Sequence, residues 1–249
     1  MSRTTAQKGN VLFMLLMAIA LLAAVTFSVT RSNRSQSNVS TETAAIYANS
    51  IMHAADSMRS AAQMLVAGGT PPTKFSFQND AVGGYANTNG ATDSNKLFHP
   101  SGGGISYKAP DLKWLDASQS SQDLYGQWFF PANVCITGIG TKHVGDCAAD
   151  GLNNEDIIAV LPYVDKNVCR AIDQKLNITL CSGDPCDIGG YVWEPGAAKF
   201  TGSFADGITI FDVSDYFTSK LEGCVAASAT GGADQPQGTF HYFKVLVER

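Results

Sequence analysis

The sequence predicts an α+β protein in which one long N-terminal helix precedes a disulfide-bonded domain. Residues 11–29 form an uncharged apolar run, and neither glycine nor proline occurs between Gly9 and Gly68. The second half holds short strand-like runs and all six cysteines. These features divide the chain into a basic leader (1–9), a transmembrane helix (10–30), an amphipathic helix that continues the span (31–69) and an extracytoplasmic α+β domain (70–249).

The apolar run VLFMLLMAIALLAAVTFSV predicts a retained membrane span. Nineteen helical residues measure about 28 Å, close to the thickness of a bilayer core. A cleaved signal peptide has a shorter apolar core of about 7 to 15 residues. The bases on the two sides, Arg3 and Lys8 before and Arg31 and Arg34 after, nearly balance, so charge alone does not orient the span. The cysteines do, because their side should be the oxidising one.

The amphipathic part of the helix is predicted over residues 41–67. Apolar residues recur there at steps of three and four, which places them on one face. We expect this face, rich in alanine, to pack on a sheet of the chain's own domain. Gly68 and Gly69 followed by Pro71 and Pro72 predict where the helix ends. The apolar positions are Ala44, Ala45, Ala48, Ile51, Met52, Ala55, Met58, Ala62 and Leu65.

The cysteines predict disulfides rather than a zinc site, because no C-x₂-C pair occurs. They are Cys135, Cys147, Cys169, Cys181, Cys186 and Cys224. Six cysteines allow 15 pairings. We favour Cys135–Cys147 and Cys181–Cys186 as local links and Cys169–Cys224 as a long-range link.

The remaining elements of the domain are short. In the block at 123–141, Pro131 suggests a break or a bulge, and residues 156–160 read as a strand or a short helix. In the last run, Phe243, Val245 and Val247 should share one face. The candidate strands are residues 74–78, 104–108, 123–141, 207–213 and 239–247.

One short helix is expected after these first strands. Asp165 has the character of an N-cap, and Val168, Ile172 and Leu176 then follow at helical spacing. Asn177 suits the left-handed conformation that ends a helix.

The motifs of common catalytic sites are missing from the sequence: it has no G-x-S-x-G, H-E-x-x-H, Walker loop or G-x-G-x-x-G. The glycines at 101–104 read as a plain turn. His53, His99, His143 and His241 lie far apart, so we expect them to be structural or exposed. With 22 acidic against 17 basic residues, the chain also lacks the basic footprint that nucleic-acid binding needs. We therefore expect no catalysis and no nucleic-acid partner.

One acidic cluster leaves two interpretations open. Its oxygen-bearing side chains could bind calcium, although their spacing differs from that of an EF-hand loop. The alternative is that they form a polar turn and a helix N-cap. The residues are Asp146, Asp150, Asn153, Asn154, Glu155 and Asp156, with Asp146, Asp150, Asn153 and Asp156 as the calcium candidates. No other cofactor is expected.

A short basic leader that ends in Lys8-Gly9, followed at once by an apolar run that continues as an amphipathic helix, resembles a type IV prepilin or pseudopilin. The resemblance covers about residues 1–67. It implies cleavage after Gly9 by a prepilin peptidase, which leaves Asn10 as the mature terminus. It also implies that the apolar half joins subunits together, and that the helix packs on irregular antiparallel strands.

Two positions depart from the family pattern. Asn10 stands where phenylalanine is usual, and Met14 stands where most members carry a glutamate that pairs with a neighbour's terminal ammonium. The large pseudopilin of type II secretion filaments also lacks this glutamate. The departure therefore favours a minor or initiating subunit.

The resemblance implies a non-enzymatic subunit of a type IV pilus or a type II secretion pseudopilus. Its location would be the bacterial inner membrane, as a single-pass protein with its C-terminal domain in the periplasm, and then an extracellular filament. The implied partners are other pilin-like subunits, the prepilin peptidase and the inner-membrane assembly machinery. The alternative is a single-pass, membrane-anchored periplasmic binding domain that does not polymerise.

Overall fold

A computed structural model describes residues 13–21, 37–131, 133–140, 155–186, 199–204, 208–210, 217–227 and 236–249. Contacts divide the chain into two compact units, Met1–Thr43 and Ala44–Arg249. The helices are α1 (residues 13–21), α2 (Ser37–Ala67) and α3 (Lys166–Lys175). The strands are β1 (Val134–Ile136), β2 (Ile157–Leu161), β3 (Ile208–Ile210), β4 (Glu222–Ala226) and β5 (Phe240–Val247).

The predicted transmembrane helix over residues 10–30 is wrong. Within the described residues, no helix combines the length and the apolar character needed to cross a membrane. Residues 10–12 and 22–30 of the predicted span lie outside the described residues. The predicted location, a single-pass protein of the inner membrane, is overturned with it.

The apolar face predicted for α2 is confirmed. Its buried residues are Ala44, Ala48, Ile51, Ala55, Met58, Ala62 and Leu65, whereas Ala45 and Met52 are half-buried. Because alanine projects only a methyl group, the four buried alanines Ala44, Ala48, Ala55 and Ala62 let the helix backbone lie close to the layer beneath it.

The predicted end of α2 is also confirmed. The amides of Gly68 and Thr70 donate to the carbonyls of Met64 (2.9 Å) and Leu65 (3.0 Å). Gly69 has a φ of 83°, a conformation that favours glycine. The chain therefore leaves the helix through a glycine turn.

An antiparallel sheet in the order β2-β5-β4 confirms the predicted α+β character. Alternate residues of β2 pack in two different hydrophobic clusters. Ile157, Ala159 and Leu161 pack in the cluster that contains the α2 stripe. Ile158 and Val160 pack in a second cluster on the other face, together with residues of β1. The sheet is thus buried on both sides, which explains the unbroken apolar run of β2.

Strand β5 lies at the centre of the sheet, and its register is irregular. Phe243 and Val245 face the second cluster, as predicted, but Val247 packs against the first. The cause is a register shift between Ile157 and Ile158, where β2 pairs with Val247 and then with Val245. An extra residue in a strand reverses the alternation beyond it.

Of the other strand predictions, the break at Pro131 is confirmed, whereas most of the remaining ones are wrong. Pro131 does interrupt its run, as an isolated bridge to Lys199 before β1 begins. Residues 104–108 form no strand, and residues 74–78 contribute a single bridge at Ser76. Strand β4 was not predicted. Strands β1 and β3 pair in parallel, against the purely antiparallel arrangement that the resemblance implied.

Helix α3 begins and ends where the sequence predicts. The carboxylate of Asp165 accepts hydrogen bonds from the amides of Asn167 (2.8 Å) and Val168 (3.3 Å). Asn177 follows with a φ of 52°. A disulfide between Cys169 and Cys224 then joins α3 to β4.

Two charged contacts attach α2 to β5. Lys244 Nζ lies 2.7 Å from Asp56 Oδ1. One turn further along α2, Arg59 binds the carbonyl of Val245 (2.7 Å) and the carboxylate of Glu248 (2.7 Å). Helix and strand are therefore held by specific polar contacts as well as by apolar packing.

The glycines at 101–104 are more than a plain turn, because Gly103 is buried against α2. A Cβ atom added to Gly103 would lie 3.1 Å from the Cβ of Ala61 and closer still to the carbonyl of Leu97. We expect Gly103→Ala to lower the free energy of unfolding by about 1–3 kcal/mol through overpacking. Urea denaturation measures this, with Gly83→Ala as the matched control, since a Cβ at Gly83 meets nothing within 4 Å. Equal stability of the two variants would contradict the close approach.

Candidate functional site

A groove runs along α2. Its opposite wall is the segment 98–108, here called the crossing segment. Two adjoining cavities of about 660 Å³ and 760 Å³ make up the groove. Both are lined by Asn49, His53, Ser57 and Ile105.

The crossing segment is held in place at several points. Gly103 allows close contact with α2, as described above. The hydroxyl of Tyr107 accepts a hydrogen bond from the backbone N–H of Trp128 at 3.1 Å. The rings of Phe98 and Tyr107 meet edge to face, with centroids 5.2 Å apart. Burial raises the pKa of Tyr107 above its usual value, partly offset by the bond from Trp128, so its hydroxyl stays protonated.

The α2 wall presents two serines whose hydroxyls are already bonded. Ser50 Oγ donates to the carbonyl of Ile46 at 3.1 Å, and Ser57 Oγ donates to the carbonyl of His53 at 3.0 Å. Both bonds stay within the helix. A serine that donates to a helix carbonyl is not activated by a base. These hydroxyls are therefore not arranged as nucleophiles.

The acidic residue of the groove, Asp56, is ion-paired, although 59% of its side chain is exposed. Its carboxylate pairs with Lys244, which also lies 3.0 Å from Glu222 Oε2. The Tyr242 hydroxyl donates to the same Glu222 oxygen at 2.8 Å. Lys244 is only 5% exposed, so this ion pair belongs to the junction between α2 and the sheet.

The groove is thus suited to binding an apolar surface. Its accessible apolar side chains are Phe98 and Ile105, both half-buried, and the exposed Met64, whereas Met58 and Trp128 beneath them are already buried. The polar side chains of Asn49 and His53 are exposed and can remain in water when these apolar side chains are covered.

The predicted cysteine pairs are confirmed where the structure describes both partners. Cys169 bonds to Cys224, and Cys181 bonds to Cys186. Cys135 is also in a disulfide, and the partner predicted for it, Cys147, lies outside the described residues. So do the processing residues Gly9 and Asn10.

Asp156 is the one calcium candidate that the structure describes, since Asp146, Asp150 and Asn153 lie outside the described residues. Its carboxylate accepts hydrogen bonds from the amides of Ile136 (3.0 Å) and Arg249 (3.1 Å). Burial raises its pKa from 3.8 to about 7 against these bonds. In the described part of the chain, no three histidine, cysteine or acidic side chains gather as metal ligands would. Calcium binding stays a prediction.

The described histidines have different surroundings. His53 lines the groove. His99 Nδ1 accepts the amide of Ser101 at 3.2 Å. His241 is fully buried, and burial lowers its pKa to about 3, so the ring is neutral; its Nδ1 accepts the amide of Tyr163 at 3.3 Å. His143 lies outside the described residues.

The groove itself was missed at the level of sequence. A signal for its α2 wall exists: Ser50, Ala54, Ser57 and Ala61 recur at steps of four, three and four. These residues mark a second helix face of small side chains beside the buried stripe. The crossing segment gave no comparable signal, because its course depends on contacts made at Gly103 and Tyr107.

No protein-family model, no curated protein and no solved structure matches this chain.

Proposed function

We propose that this protein is a non-enzymatic, pilin-like structural subunit, in a minor role, that assembles with other subunits through its N-terminal segment. The observation that carries the proposal is the exposure of α1. All nine of its residues are exposed and uncharged. Its large side chains have exposed fractions of 56–65%: Phe13, Met14, Leu15, Leu16, Met17, Ile19 and Leu21.

An exposed apolar helix of this kind is stabilised when another apolar surface buries its side chains. Fully burying one large apolar side chain contributes about 1.5–3 kcal/mol. Contiguous exposed apolar surface is typical of sites where proteins associate. A surface apolar on every side fits contact with several neighbours better than contact with one face of a single partner.

Features of the unit Ala44–Arg249 also support a pilin-like subunit. The α2 stripe packs on an antiparallel sheet, which is the arrangement that the pilin resemblance implies. Disulfides such as Cys169–Cys224 are typical of proteins exposed to oxidising surroundings. Met14, in place of the usual glutamate, favours a minor or initiating subunit over a major one.

A second candidate is a binding domain that does not polymerise. The groove along α2 favours it, because accessible apolar side chains and exposed polar ones line it together. In this case α1 would make no contacts with α1 of other copies.

Processing provides the first test. We expect mass spectrometry of the mature protein to find a chain that starts at Asn10, produced by a prepilin peptidase. Replacing Gly9 with valine should leave the leader attached, because the peptidase of this family cuts after that glycine. Unchanged processing of the Gly9→Val variant would contradict the pilin-like assignment.

Cross-linking provides the second test and separates the two candidates. The described cysteines are all disulfide-bonded, so a cysteine at position 13, 16 or 19 supplies a specific target for a short bismaleimide. In cells that make the full-length variant, we expect cross-linked dimers from at least one of these positions. Ser118→Cys, an exposed position on the domain, is the control. Dimers no more abundant than with Ser118→Cys would favour the non-polymerising binding domain.

A further inference from the structure

We infer that Gly223 selects the disulfide partner of Cys224, because it fixes the register of β4 and so the face of the sheet on which the Cys224 thiol lies. Four of the cysteines are divided between the two hydrophobic clusters. Cys169 and Cys224 are buried in the first cluster, whereas Cys181 and Cys186 lie with the second. The partner offered to the Cys224 thiol therefore depends on the face that it occupies.

That face depends on the register of β4. Side chains alternate along a strand, so Cys224 packs in the first cluster and Val225 in the second. A slip of one residue reverses this alternation. It would turn Cys224 towards the cluster of Cys186, whose carbonyl accepts a hydrogen bond from the amide of Ala226 in β4 at 3.0 Å. A competing cysteine therefore lies beside the strand.

Gly223 provides the steric feature that distinguishes one register from another. It pairs with Phe243 across the sheet. A Cβ atom added to Gly223 would lie 2.9 Å from a ring carbon of Phe217 and 3.0 Å from Cδ1 of Ile178, both shorter than ordinary van der Waals contact. Phe217 is fully buried, and its ring centroid lies 6.0 Å from that of Phe243. Close packing on this side leaves the ring little room to move.

The residues next to Gly223 in β4 do not fit in its place. Residues 221–226 read LEGCVA, so every neighbour of the glycine carries a Cβ atom. A slip in either direction brings one of these atoms against Phe217, and such overpacking is destabilising. The second cluster thus favours the register in which Cys224 faces Cys169.

A hydrogen bond from α3 holds the selected pair together. Asp173 follows Cys169 by one helical turn, so the two side chains share a face of α3. Its Oδ1 accepts the amide of Cys224 at 2.9 Å. Any backbone amide can donate such a bond, so it joins α3 to β4 without choosing the residue. The choice is made at Gly223.

Oxidative refolding of the reduced, full-length chain in mild detergent tests the inference. The thiols of Cys169 and Cys224 lose two protons and two electrons as their S–S bond forms, and oxidised glutathione takes these up to become two thiols. Gly223→Ala should lower the yield of this link at least five-fold and replace it with links from Cys224 to the cysteines of the second cluster. Mass spectrometry of peptides digested without reduction identifies the links.

Gly83→Ala is the matched control, because a Cβ atom at Gly83 meets nothing within 4 Å. Equal yields of the Cys169–Cys224 link from Gly83→Ala and Gly223→Ala would overturn the inference.

A second variant decides the case in which Gly223→Ala leaves the cysteines paired at random, as in an unfolded chain. Phe217→Leu removes the ring carbon nearest to the added Cβ atom. The Gly223→Ala/Phe217→Leu chain should therefore form the Cys169–Cys224 link at least three-fold more than Gly223→Ala alone. A double variant with no such gain would show that the contact at Gly223 does not govern the pairing.

Discussion

Replacing Cys169 and Cys224 together with alanine is expected to lower the free energy of unfolding by about 4 kcal/mol, a large part of the total for a domain of this size. The two cysteines lie 55 residues apart in sequence, so their bond removes much of the freedom of the unfolded chain. Both are fully buried and join α3 to β4. Urea denaturation of the oxidised variant measures the effect.

The second disulfide provides the matched control. Cys181 and Cys186 are five residues apart, and the same relation between loop length and entropy gives about 2 kcal/mol for their removal. We therefore expect the Cys181→Ala/Cys186→Ala variant to keep about 2 kcal/mol more stability than the first. A smaller loss from the long-range pair than from the short one would contradict the entropic account.

Asp173 is expected to make the domain less stable at pH 8 than at pH 5. Its side chain is fully buried. Its Oδ1 accepts the amide of Cys224 at 2.9 Å, while its Oδ2 has no hydrogen-bond partner. Burial raises its pKa from 3.8 to about 7, against the bond from Cys224. The folded state thus retains a proton that the unfolded state has lost.

The direction of the effect follows from this difference. Between about pH 4 and pH 7 the folded state binds more protons than the unfolded state, so the free energy of unfolding falls as pH rises and levels off above 7. From pH 5 to pH 8 the loss due to Asp173 is on the order of 2 kcal/mol. Asp156, whose pKa is also raised to about 7, acts in the same direction. His241, with its pKa lowered to about 3, acts in the opposite direction below pH 6.5.

The Asp173→Asn variant isolates the contribution of Asp173. Asparagine keeps an oxygen for the Cys224 amide but cannot ionise, so the difference in stability between pH 5 and pH 8 should shrink by about 2 kcal/mol. The contributions of Asp156 and His241 are common to both proteins and cancel. Asp123→Asn, at an exposed position, should leave the pH profile unchanged. A profile of Asp173→Asn parallel to that of the wild type would show that Asp173 is ionised throughout this range.

The α2 stripe shows why part of this fold could be predicted. Ala48, Ile51 and Ala55 share a face because a helix turns every 3.6 residues, whatever the rest of the chain does. Asp165 and Asn177 were predicted for the same reason, since helix caps depend on the nearest neighbours in sequence. The Cys181–Cys186 link is equally local.

Two of the predictions that are wrong concern features set by contacts between residues far apart in sequence. The side taken by Val247 follows from a register shift opposite Ile157, which no pattern within β5 reveals. The parallel pairing of Val134 with Ile208 joins segments far apart in sequence. The membrane span was predicted from hydropathy over residues 11–29, whereas no helix within the described residues is long and apolar enough to cross a membrane.

The sequence by itself determined the apolar character of α1, the stripe and end of α2, and two disulfide pairs. The first three depend on residues close together in sequence, and the disulfides depend on cysteine, the one residue type that can form them. The tertiary structure alone decided the groove. Its walls come from α2 and the crossing segment, and they meet because Gly103 lets the chain approach Ala61 and Tyr107 binds the backbone at Trp128. Such contacts between distant residues depend on how the whole chain packs, so the periodicity within one segment does not predict them.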